Sequence, residues 1–167
     1  MNRVLKFIIL FFAVLILQFF IFDKLYLIGL PNIYVYIFFI LILPYNFNQI
    51  LTLFISFALG FIIDVFNITP GLHALAALTI GYLRLKFLEL YSGGKEYDCS
   101  VELEHRKYGW IWFFKYYGSI ILIHNTIVII ISYFSFANFF ELIYKIIISS
   151  LFSLFFIILI YSLFLKK

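Results

Sequence analysis

Few side chains in this sequence can do chemistry, and those set inside its apolar stretches are weighed first. Residues 60–84, GFIIDVFNITPGLHALAALTIGYLR, place Asp64, a Thr-Pro-Gly turn and His73 within ten residues of one another. A second polar set, His124, Asn125 and Thr126, interrupts the apolar run that begins at Trp110. A carboxylate and an imidazole can share acid–base work, imidazoles can ligate a metal, and all these groups can hydrogen-bond between helices. The spacing favours the last. His73, His105 and His124 are too scattered to read as a metal set, and no two carboxylates share a face at a spacing suited to proton transfer. There is no H-E-x-x-H pair and no G-x-S-x-G elbow. Hence the sequence predicts no catalytic residue, no metal and no cofactor, and it marks these polar residues as structural or interaction candidates.

What must position them is a set of membrane helices. Of 167 residues, 66% are hydrophobic and 12% charged, with a mean hydropathy of +1.14. Soluble domains are about a quarter charged, so the composition is that of a membrane protein. A bilayer core about 30 Å thick takes roughly 20 helical residues to cross. Six segments qualify: 4–22, 25–43, 47–66, 70–90, 110–134 and 142–165. They form a single transmembrane domain with one extended polar loop, 91–109. The first segment is longer than a signal-peptide core and lacks a small-residue cleavage site, so it reads as a retained helix. Pro31 leaves the second with a regular helix over 32–43 only, or a short, tilted or re-entrant passage. Thr69 and Pro70 suit the N-cap and first helical position of the fourth.

Nine Lys and Arg residues (3, 6, 84, 86, 95, 106, 107, 166 and 167) fall on one side of this arrangement, against Lys24 and Lys145 on the other. The positive-inside rule then predicts that both termini and the loop 91–109 are cytoplasmic. That side also suits a reduced thiol at Cys99. The loop mixes acids with its basic residues and reads as a solvated connector or a docking surface, with no pattern for nucleic acid.

Helical spacing aligns Ser56, Gly60 and Asp64 on one face of the third segment and His73, Ala77 and Gly81 on one face of the fourth. Such small-residue tracks allow membrane helices to approach closely. Asp64 ends its helix where the macrodipole disfavours negative charge. It needs donors, and the free N–H groups opening the next segment, or His73, can supply them. The pattern predicts a polar clasp closing a tight hairpin, with a ligand or proton site, or a partner-docking site, as the alternatives. As a clasp, Asp64→Asn should be mild and Asp64→Leu damaging. Around His124 and Asn125, with Ser149 and Ser153 opposite, the expectation is interhelical hydrogen bonding, and a small-ligand pocket is its alternative.

The stretch 60–84 resembles the rod shape-determining MreD family of the bacterial cell-elongation machinery, at Gly60, Asp64, Gly71, Ala74 and Gly81, with Tyr82 beside the last. The motif covers about 25 residues, and the rest of the chain matches in length, span number and hydropathy. His73 falls where relatives vary. The resemblance implies a non-enzymatic scaffold or regulator in the bacterial inner membrane, supporting peptidoglycan synthesis and cell shape. Its partners would be an MreC-like bitopic protein, the MreB cytoskeleton, a RodA-type glycosyltransferase with its penicillin-binding transpeptidase, and membrane lipid. It also implies a six-helix, all-α fold similar to the substrate-binding subunits of energy-coupling-factor vitamin transporters, which makes such a subunit the alternative function. Against that alternative, the Ala-x-x-x-Ala docking track of those subunits is reduced here to Ala13, with Ile9 and Leu17 at the flanking positions.

Overall fold

A computed structural model describes residues 3–27, 31–92, 109–133 and 139–165. Every regular element among them is helical: α1 (Arg3–Leu17), α2 (Asp23–Leu27), α3 (Ile37–Ile42), α4 (Gln49–Asn67), α5 (Leu72–Ser92), α6 (Trp110–Tyr133) and α7 (Phe139–Leu165). Four helices are long and apolar enough to cross a membrane, over Leu5–Leu25, Gln49–Asn67, Trp110–Tyr133 and Phe139–Leu163. The chain is therefore an all-α, multi-pass membrane protein. α5 has 21 residues, but Arg84, Lys86 and Glu89 crowd its second half and set it apart from those four by composition.

The first passage runs longer than expected because a π-helical turn, Gln18–Phe22, joins α1 to α2 without a break. The Asp23 N–H reaches back to the Gln18 carbonyl across this wide turn. π-bulges of this kind concentrate at functional positions. α4 begins where Asn48 caps it, its side-chain oxygen accepting from Ile50 N and Leu51 N at 2.8 and 3.3 Å.

Segment 25–43 is not one helix. Between α2 and α3, residues 31–35 have no regular secondary structure, and regular helix covers only Ile37–Ile42. Pro31 has no N–H to give, and the β-branched Ile33 and Val35 favour extended backbone. Yet this irregular passage is the most deeply buried part of the protein, closed off continuously from Ile33 to Leu43. Irregular backbone is tolerated at membrane depth only where protein surrounds it and meets its polar groups. α1, α4 and α5 pack against α3, while α4, α5, α6 and α7 each lie against the next in sequence. Their outward faces present large apolar side chains such as Phe20, Phe54, Phe140 and Leu163.

The start of α5 also differs from the expectation. Ile68 takes a left-handed backbone (φ 55) that ends α4, and Gly71, also left-handed (φ 77), precedes a helix that begins at Leu72. Thr69 and Pro70 therefore lie in the turn rather than at the N-cap and first helical position. From the loop 91–109, residues 93–108 lie outside the described residues, and with them Cys99, His105 and the basic cluster at 95, 106 and 107.

Candidate functional site

Asp64 closes the turn between α4 and α5. Its Oδ1 accepts from the Thr69 hydroxyl at 2.5 Å and from His73 N at 3.0 Å, and its Oδ2 accepts from Ala74 N at 2.8 Å. With α5 starting at Leu72, those two N–H groups belong to its second and third positions, the donors that an N-cap side chain ordinarily satisfies. A residue from the preceding helix thus caps the next one. The N-terminal dipole of α5 also offsets the unfavourable placement of Asp64 near the end of α4. It is the backbone of His73 that serves here; its ring turns elsewhere.

Below the clasp the helices touch through small residues. A Cβ built on Gly60 would lie 2.4 Å from the His73 carbonyl oxygen and 2.6 Å from Ala74 Cα, so α5 backbone rests directly on Gly60. Gly81 faces Ser56, whose Oγ and Cβ would stand 2.5 and 2.9 Å from an added Cβ. Ala77, between these points, is fully buried. Gly71 serves the turn through its φ and has open space about it. On α6, a Cβ on Gly118 would likewise meet nothing within 4 Å among the described residues.

The Asp64 geometry changes what an isosteric amide should do. Asparagine supplies one acceptor oxygen and one NH2, whereas both carboxylate oxygens here take N–H donors. One backbone donor of α5 would face another donor, at a cost of about 1–3 kcal/mol. We therefore expect Asp64→Asn to lower the thermal stability of the purified protein clearly, and Asp64→Leu to lower it further. A melting temperature unchanged in Asp64→Asn would contradict this.

A second network lies deeper. Asn125 Nδ2 donates to Ser149 and Ser150 Oγ, at 3.3 and 3.1 Å, which leaves Asn125 Oδ1 as an acceptor. That oxygen lies 3.2 Å from His124 Nδ1, so the proton of this imidazole sits on Nδ1 and Nε2 is bare. The Tyr36 hydroxyl donates to His124 Nε2 at 2.5 Å, and its oxygen in turn lies 3.2 Å from His73 Nδ1, which donates to it. Hydrogen bonding thus runs in one direction from His73 through Tyr36 and His124 to Asn125. The Tyr34 ring packs on both imidazoles, with centroids 5.3 and 5.4 Å away. His73 and His124, scattered in sequence, converge on one phenol. Among the described residues, no group of three or more His, Cys, Asp and Glu gathers to hold a metal. Thr126 stays apart, its hydroxyl bonded to the Leu122 carbonyl on an exposed face of α6.

The irregular passage is held by side chains from the helices around it. Gln18 Nε2 donates to the Ile33 carbonyl at 3.0 Å, and Gln18 Oε1 accepts from Val35 N at 2.8 Å and Tyr36 N at 3.4 Å. Ser153 Oγ accepts from Tyr34 N at 3.0 Å, and Ser149 Oγ donates to the Asn32 carbonyl. Ser149 and Ser153 therefore satisfy unwound backbone as well as helix contacts. At the other end, Arg84 Nη2 donates to the carbonyls of Leu43 and Pro44, just past the C-terminus of α3, where a cation is favoured.

Three of these residues were not legible as site residues. Gln18 is the one polar residue in the run 7–22, and a lone amide inside a span is itself a signal. Tyr36 looks like any other aromatic residue of an aromatic-rich segment. Arg84 enters the Lys/Arg pattern as one charge among nine, which gives no sign that it is 0% exposed. It follows Gly81 by three positions, which puts it on the same helix face as His73, Ala77 and Gly81. Comparison of the chain with protein-family models, with curated proteins and with solved structures finds no match.

Proposed function

We propose that this chain is a non-enzymatic scaffold or regulator of the bacterial rod-shape cell-elongation complex, of the MreD type. The observation that carries the proposal is the use made of the resembling stretch. Gly60, Asp64, Gly71 and Gly81 each take a distinct part in one clasped hairpin: a backbone contact, a cap, a left-handed turn and a side-chain contact. A motif spent wholly on shape suits a protein whose work is to hold a fixed surface toward others.

On this reading α5 and the irregular second passage count as spans beside the four long apolar helices. That gives six passages in the inner membrane with both termini cytoplasmic. α5, at 1.5 Å per residue, reaches about 31 Å, the thickness of a bilayer core. The partners would be an MreC-like bitopic protein, the MreB cytoskeleton and a RodA-type glycosyltransferase with its transpeptidase. One observation favours the alternative, a vitamin-binding subunit of energy-coupling-factor type: membrane helices broken near their middle often line binding sites, and the second passage is broken beside Tyr36, His73 and His124.

Affinity purification of the tagged full chain from its native membranes separates the two. Recovery of an MreC-like bitopic protein, with rounding of rod-shaped cells on depletion, is the expected outcome. A transporter ATPase module in the eluate, or a vitamin retained at near one-to-one, would replace the scaffold with the transporter subunit.

A further inference from the structure

Two grooves run along the membrane-facing side between α1 and α4, and they differ in kind. One, about 340 Å³, is lined only by apolar side chains, among them Phe7, Phe39, Phe47 and Ile55. The other, about 600 Å³, has Phe11, Leu15 and Phe19 on one wall and Ile62 and Phe66 on the other, and it ends at Asp23, Lys24 and Asn67. Phe11 and Phe12 line both grooves, their rings edge to face at 5.4 Å, with Phe11 also packed edge-on against the buried Phe39 at 5.3 Å. The two compartments meet at this aromatic pair.

Length and charge decide what the larger groove fits. From Phe11 to Lys24 the helix rises about 20 Å. Half a bilayer core is about 15 Å, and about 20–22 Å with its headgroup layer. The groove that carries the charged end therefore covers one leaflet and its interface, the reach of one lipid molecule. At its polar end Asp23 and Lys24 present opposite charges side by side. Lys24 is exposed and has no carboxylate within ion-pairing distance among the described residues. Asp23 Oδ1 accepts from Gln18 Nε2 at 2.7 Å, while its Oδ2 is buried and has no hydrogen-bond partner of normal geometry among the described residues.

We propose that this groove binds one phospholipid whose headgroup carries both an ammonium and a phosphate, an aminophospholipid. The acyl chains lie along Phe11 to Phe20, the phosphate pairs with Lys24, and the ammonium meets Asp23. A headgroup with phosphate alone would also pair with Lys24, but it would leave the neighbouring Asp23 carboxylate without a cation. This assignment is independent of the cell-elongation reading, since it needs only the groove and its two charges.

The test uses the full chain in nanodiscs of phosphatidylethanolamine and phosphatidylglycerol in equal amounts, followed by stepwise detergent stripping and native mass spectrometry. One phosphatidylethanolamine per chain should survive stripping, in preference to phosphatidylglycerol. Lys24→Gln and Asp23→Asn should each cut that retention about tenfold, the loss expected for one charge-assisted hydrogen bond. Ile16→Trp, which fills the groove without touching either charge, should expel the lipid from a protein that still elutes as a single species. Lys115→Gln, on exposed α6 surface, should change nothing. Equal retention of the two lipids, retention unaffected by Lys24→Gln, or photocrosslinks from position 16 to a second polypeptide would each overturn the assignment.

Discussion

Gln18→Leu should destabilise this protein by several kcal/mol, more than any single substitution on its outward faces. The side chain satisfies three backbone groups of the irregular passage, the Ile33 carbonyl and the N–H groups of Val35 and Tyr36. Leucine fills much of the same space and offers none of those bonds. Each orphaned buried group costs about 1–3 kcal/mol, and no water reaches the bilayer core to replace the lost partner. Shape-conserving polar replacements should fare little better. Glutamate keeps an acceptor but loses the donor to Ile33 and sets a second carboxylate against Asp23, and asparagine is one methylene too short. Thermal unfolding of the purified variants measures the effect. Thr126→Val is the control, since the Thr126 hydroxyl bonds only within its own helix and its loss should leave the melting temperature nearly unchanged. If Gln18→Leu melted with the control, the passage would owe its shape to something other than Gln18.

The same residue shows where sequence reading stops. Hydropathy finds helices because length and composition act locally, and the ends of α4, α6 and α7 lie within three residues of the segments read from sequence. The Asp64 clasp was legible too, because its acceptor and its donors stand only nine and ten residues apart. The second segment was legible only in part: Pro31 pointed to a shortened helix or a short, tilted or re-entrant passage, and the regular helix is shorter still, Ile37–Ile42. What the sequence does not show is how the unwound stretch is sustained, because its partners come from afar. The partners of residues 32–36 come from Gln18, Ser149 and Ser153, up to 119 residues away. The burial of Arg84 is illegible for a related reason. A basic residue two turns from a helix end ordinarily snorkels to the interface, unless unpaired carbonyls lie nearer, and those of Leu43 and Pro44 do. Pairings across such distances follow from the fold and leave no local pattern.

The α4–α5 hairpin separates two kinds of glycine that the sequence treats alike. Gly60→Ala should be severe. Its Cβ would sit 2.4 Å from a carbonyl oxygen and 2.6 Å from a Cα of α5, both main-chain atoms, so relief requires moving the helix. Overpacking of that kind costs about 1–3 kcal/mol, and any outward shift of α5 also stretches the bonds from His73 N and Ala74 N to Asp64. No substitution on α5 can make room, because every residue there has the same backbone. Gly81→Ala meets a different obstacle, the Cβ and Oγ of Ser56. Among the described residues Ser56 Oγ has no hydrogen-bond partner, so removing it forfeits no bond, and the next atom, the Thr52 carbonyl oxygen, stands 3.8 Å away at ordinary contact distance. Ser56→Gly should therefore restore much of the stability that Gly81→Ala loses, with a favourable coupling of about 1–3 kcal/mol in the double-mutant cycle. The propensity cost of one more helical glycine, about 0.5–1 kcal/mol, keeps the recovery incomplete. The same Ser56→Gly change should leave Gly60→Ala as unstable as before. Melting temperatures of the three single and two double variants decide the matter: equal recovery of both alanine variants, or of neither, would mean that the helices do not meet in this register.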